Sequence, residues 1–139
     1  MPFTNYLDQK ITQLLWSNTT YPVPGTWYVA LSSTTPTQGA SPNFTEPTVG
    51  AYARVAVANN ATNWSAISSE PSAGYTVQNN TAVSFPAATA NWGTMTYFGI
   101  YDAATAGNLV GYGALTASQT ITTGVTASFA VGALTITNN

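Results

Sequence analysis

Thr94-Met95-Thr96-Tyr97-Phe98-Gly99-Ile100-Tyr101 is the stretch on which the fold turns. Its β-branched and aromatic residues suit a pleated, partly buried surface, and Asp102 followed by small polar residues closes it as a turn would. The same texture recurs at Thr26 to Ser32, Tyr52 to Ala58, Thr81 to Phe85, Asn108 to Leu115, Gln119 to Thr123 and Ala127 to Thr137, the last broken at Gly132. Short strands at roughly even spacing predict a mainly β chain, a sandwich or a barrel, and the fold expected is an antiparallel β-sandwich of Ig-like or jelly-roll-like type. A parallel α/β architecture is disfavoured, because no helical pattern lies between the strands.

Working outward, the one helical segment stands at the N-terminus. Thr4 is placed to cap it, and Leu7, Ile11, Leu14 and Leu15 fall on one face at helical spacing. The helix is expected over 4–17, ending near Asn18 ahead of Pro22 and Pro24. This leader either packs on its own sheet or docks on a neighbouring subunit, as short amphipathic helices do. Two stretches read as long loops without a strand period: Ser33 to Gly50, with Pro36, Gly39, Pro42 and Pro47, and Ser65 to Gly74, with Pro71. The first, 33–50, either folds over its own domain or is an arm that orders on a partner. The length of 139 residues fits one domain spanning 1–139.

The charge count narrows function. Two basic and four acidic side chains are present, giving a net charge of −2, against an ordinary expectation of roughly a quarter of all residues charged. With a hydrophobic fraction of 45% the chain should fold rather than stay disordered. So little charge gives weak colloidal repulsion and predicts association with its own copies or with a larger assembly. Two bases cannot neutralise a row of phosphates, so nucleic acid is not an expected partner. No segment approaches the length of a membrane span, and the opening residues lack a secretory pattern, which predicts no membrane association and synthesis in a cytoplasm without export.

The chemistry-bearing residues are few. No His and no Cys occur, which removes the Ser-His-Asp triad, imidazole and thiolate metal sites and the Cys nucleophile. A two-carboxylate glycosidase needs only an acid and a base, yet Asp8, Glu46, Glu70 and Asp102 sit singly with no local motif pairing them. The expectation is no enzyme, no cofactor and no metal. Asp102 reads as a turn cap bonding nearby backbone N–H groups in preference to a calcium ligand, which would need several carboxylates. Arg54 has Glu46, Glu70 or an interface as alternative partners. Four Trp and eight Tyr invite a carbohydrate-binding reading, with host surface glycan as the ligand, although aromatics in β-rich domains more often serve as core or interface anchors. Sequons at Asn18, Asn43, Asn60, Asn63 and Asn79 carry little weight in a chain this rich in Asn, Ser and Thr.

Three segments together carry a resemblance: Gly50-Ala51-Tyr52-Ala53-Arg54-Val55-Ala56-Val57 followed by Asn59-Asn60-Ala61-Thr62-Asn63-Trp64; Val83-Ser84-Phe85-Pro86 to Trp92-Gly93-Thr94; and Tyr97-Phe98-Gly99-Ile100-Tyr101-Asp102. With the opening Leu7 to Trp16, the strand Trp27 to Ser32 and the ending Gly132 to Thr137, they resemble a family of small bacteriophage virion structural proteins, described as tail-fibre or generic structural proteins. The resemblance spans nearly the whole chain and offers no catalytic residue to carry over. It implies a β-sandwich head with a structural duty in the virion.

Within a particle, a trimeric fibre needs a shaft of coiled coil, repeats or intertwined strands, and the sequence supplies none. On size, a capsid decoration (cement) protein on the particle exterior is favoured over a tail-fibre or tail-ring component. The expected partners are other virion proteins, either the major capsid protein or tail proteins, and further copies of the chain, with a trimer among the candidate oligomers. Leu7, Ile11, Leu14, Leu15 and Trp16 of the leader, Phe44 of the 33–50 segment and Arg54 are the candidate interface residues.

Overall fold

A computed structural model describes residues 3–39, 42–70 and 74–138. One helix, α1 (Asn5–Trp16), precedes strands β1 (Thr26–Ser32), β2 (Val55–Ala58), β3 (Ser68–Glu70), β4 (Gly74–Gln78), β5 (Val83–Ser84), β6 (Gly93–Tyr101), β7 (Leu109–Ile121), β8 (Ser128–Phe129) and β9 (Thr135–Asn138). They form a four-stranded sheet in the order β2-β1-β6-β7, a three-stranded sheet β3-β4-β9 and a two-stranded ribbon β5-β8, every pairing antiparallel. The chain is a mainly β sandwich with one N-terminal helix.

The middle of the main sheet explains why Thr94 to Tyr101 is so apolar. β1 and β6 are its inner strands, paired with Leu31 opposite Phe98 and Tyr28 opposite Tyr101. Val29, Leu31, Phe98 and Ile100 face the main core with Trp64, Val83, Phe85, Trp92, Met95 and Leu134. Ala30 and Tyr101 face the opposite way into a second cluster with Leu109, packed against Tyr28, Phe44 and Tyr112. A strand covered on both faces loses the usual alternation and becomes a continuous hydrophobic run.

β7 combines two segments expected as separate strands. All but the outermost residues of Asn108 to Leu115 and Gln119 to Thr123 lie within one 13-residue strand, Leu109–Ile121, yet its ladder with β6 breaks between them. Met95 pairs with Gln119 and Tyr97 with Ala114, so Leu115–Ser118 bulge out against the single residue Thr96. The bulge also exchanges the faces of β6, since Met95 reaches the same core as Phe98 and Ile100 although their spacing is odd.

Two expectations are corrected. The Ser65 to Gly74 loop contains β3, and β4 follows it unanticipated; the short, Ser-rich β3 has no apolar alternation, and its order comes from pairing with β4 and, through β4, with β9. Pro71 lies outside the described residues. Finally, Thr4 occupies the helix N-cap but makes no side-chain cap bond. The residues before α1 run along β7, with Phe3 bridged to Gly111 and the Thr4 amide donating to Val110 O at 3.2 Å. The buried Thr4 hydroxyl therefore donates to the Leu109 carbonyl at 2.5 Å, fastening the helix start to the sheet.

Candidate functional site

The candidate interface residues divide into two groups that the fold keeps apart in role. Phe44 and Arg54 belong to a clamp over the outer face of the main sheet. Arg54 Nη2 meets Glu46 Oε2 at 2.7 Å and Nε meets Oε1 at 3.0 Å, a bidentate pair in which the guanidinium side chain is 7% exposed. Its Nη1 donates to the Ala103 and Ala106 carbonyls at 2.8 Å each, and the guanidinium lies 3.5 Å from the Tyr101 ring centroid. Glu46 Oε1 also accepts from the Tyr52 hydroxyl at 2.7 Å, whose oxygen accepts from the Leu31 amide at 3.0 Å. One ion pair thus ties the 33–50 segment, the approach to β2, the end of β1 and the β6–β7 turn.

Phe44 completes the clamp by meeting Tyr101 edge-on at 5.4 Å. The ring lies so close to the sheet that a Cβ on Gly99 would sit 2.5 Å from Phe44 Cε2 and 2.7 Å from Leu109 Cδ1. Gly99 is therefore the residue that admits the 33–50 segment. The turn below is closed by Asp102, whose Oδ1 accepts from the Asn108 amide at 2.7 Å and Oδ2 from Asn108 Nδ2 at 2.9 Å. It is a turn cap, as its sequence context suggests, and it reaches six residues on. Burial raises the Tyr101 hydroxyl to about 12, with Glu46 adding to the shift and Arg54 opposing it. Burial likewise raises Tyr52. For Arg54 burial works against the charge, but the Glu46 carboxylate outweighs it and the net shift is upward.

The helical residues form a gradient. Leu7 is half-buried against the main core and Ile11 is half-buried. Leu14 is 48% exposed, Leu15 68% and Trp16 83%. The helix then ends as expected near Asn18, which takes φ 50° while the Ser17 and Thr19 amides both donate to the Gln13 carbonyl. Past that turn Val23 is 60% exposed. The first half of α1 is thus a structural foot on the sheet, and the last turn presents large apolar side chains to solvent with no charged residue among them.

Some contributors were not singled out from sequence. Asn79, noted only as a sequon, is fully buried; its amide donates to the Thr81 and Ala130 carbonyls at 2.8 and 2.9 Å while Oδ1 accepts from the Leu134 amide at 2.9 Å. It staples the start of β9 to the end of β4. Gly50, with φ 70°, accepts from the Trp92 indole at 2.9 Å, and a Cβ there would lie 2.7 Å from the Ala90 nitrogen.

Nearly every segment that carries the resemblance therefore has a place in this clamp or in the core beneath it. A family model described as podophage GP4 fiber I protein gp80 matches residues 2–137. The chain belongs to this family. Membership makes it a structural component of a phage virion, in keeping with the family resemblance of its sequence. A comparison with curated proteins returned no match.

Proposed function

We propose that the chain is a non-enzymatic packing module of a podophage fibre, attached to neighbouring virion proteins through the last turn of α1. The observation that carries this reading is the set Leu14, Leu15 and Trp16, 48 to 83% exposed at the end of a helix whose other end is fastened to the sheet. Burying such side chains yields roughly 2 kcal/mol each before association costs are subtracted. The family's description as a fibre protein favours a fibre over the shell decoration suggested by chain size. Phe44 and Arg54 serve this function indirectly, by holding the 33–50 segment to the sheet.

The test separates folding from docking. Leu15→Ser with Trp16→Ser removes exposed groups only, so stability should change by no more than about 0.5 kcal/mol. Virions assembled with that variant should lack the protein, and antibody labelling of wild-type particles should mark fibres. Normal incorporation of a folded double variant would refute the docking face, and labelling confined to the shell would refute the fibre location.

A further inference from the structure

Between the main sheet and the β4–β9 pair a cavity of about 240 Å³ opens beneath the helical leader. Its walls are mostly hydrocarbon, from Leu7 of α1, Ile100 of β6, Val77 of β4 and Ile136 of β9, and no lining residue is charged. Polar side-chain groups of Asn59, Tyr21 and Trp64 interrupt them, and the Asn59 amide donates to the Pro24 carbonyl at 3.0 Å. Trp64 lines the cavity and is 8% exposed, and among the described residues its buried indole N–H has no hydrogen-bond partner; Tyr21 lines the cavity too, and its buried hydroxyl has none either.

Buried polar atoms without partners are uncommon, and each leaves a desolvation cost unrepaid. An indole nitrogen only donates, so whatever fills the space must bring an acceptor. A charge would enter without compensation. An apolar cavity of ~150 Å³ binds benzene, so this space admits a somewhat larger molecule. From these constraints we propose that the cavity is a binding site for a small, uncharged, largely apolar molecule whose single acceptor, a carbonyl or ether oxygen, takes the Trp64 N–H. Tyr21 supplies a second hydrogen bond, and the occupant buttresses the leader against the sandwich.

Acetophenone, ethylbenzene and benzoate probe the three requirements: an aromatic ring with an acceptor, the same ring without one, and a ring bearing a charge. Titration is followed by the four indole N–H signals in nitrogen-15 NMR spectra, with Trp64 identified through Trp64→Phe. The expected result is a saturable shift of the Trp64 signal with acetophenone, binding about tenfold tighter than ethylbenzene, the size of one buried hydrogen bond, and no binding of benzoate. Val77→Phe, which fills the cavity and keeps the indole, should abolish the shift. Equal affinities for acetophenone and ethylbenzene, the absence of a saturable shift, or a shift that survives Val77→Phe would each overturn the site. Because the probe comparison uses the unaltered protein, it decides the matter even if a variant fails to fold.

Discussion

Among the described residues Arg54 is the most heavily engaged charge, donating to Glu46 and to the Ala103 and Ala106 carbonyls with its plane over Tyr101. Arg54→Ala would strand the Glu46 carboxylate and two carbonyls together, and should lower unfolding stability by about 3 kcal/mol. Arg54→Met with Glu46→Gln leaves no orphan charge and should recover part of that loss, a coupling that urea unfolding of the two single variants and the double variant measures. A purely additive cycle would show that the pair contributes nothing of its own. Alkaline pH tests the same cluster. Tyr101 in the folded chain is raised to about 12 and Tyr52 is also raised, from an ordinary 10. Folded protein therefore holds phenolic protons that unfolded chains release, so their contribution is intact below pH 10 and declines as pH rises from 10 towards 12. Urea midpoints should fall across that window, and fall less in Tyr101→Phe. In sequence Arg54 had three alternatives for a partner; the choice of Glu46 depends on β1, β6 and the turn after β6 meeting in space, which no local period encodes.

Among the elements, legibility followed burial. β1 was readable to the residue, and β6 to within one, because both are covered on two faces and must be apolar throughout. The bulge in β7 also left a trace, as the weak stretch between two strand-like segments. β3 and β4 were missed because their order is borrowed from pairing with each other and with β9. The helix was visible as a stripe, but not the division of that stripe into a foot and an exposed end. That division rests on the Thr4 bond to β7, which contradicts the capping role its position suggests. Thr4→Val keeps the shape and leaves the Leu109 carbonyl without the hydroxyl, at a cost of about 1–2 kcal/mol. Hydrogen exchange should show α1 amides losing protection while β1 and β6 keep theirs. Uniform loss across helix and sheet would mean that the leader and the sandwich open as one unit.

For the whole molecule, scarcity of charge sets the terms of association. With two basic and four acidic side chains, and Arg54 and Glu46 already spent on each other, little charge remains for attraction between molecules. Attachment through Leu14, Leu15 and Trp16 should then be driven by apolar burial, and the two driving forces respond oppositely to salt. Raising sodium chloride from about 0.01 to about 1 M shortens the screening length from roughly 30 to 3 Å, which weakens any contact held by exposed charges. Sulfate, excluded from protein surfaces, strengthens apolar burial. The isolated chain should accordingly associate in a concentration-dependent way that sodium chloride leaves intact and sulfate reinforces, as read by sedimentation velocity. Leu15→Ser with Trp16→Ser should remove that association in both salts. Loss of association in sodium chloride alone would assign the contact to charged groups and take it away from the end of α1.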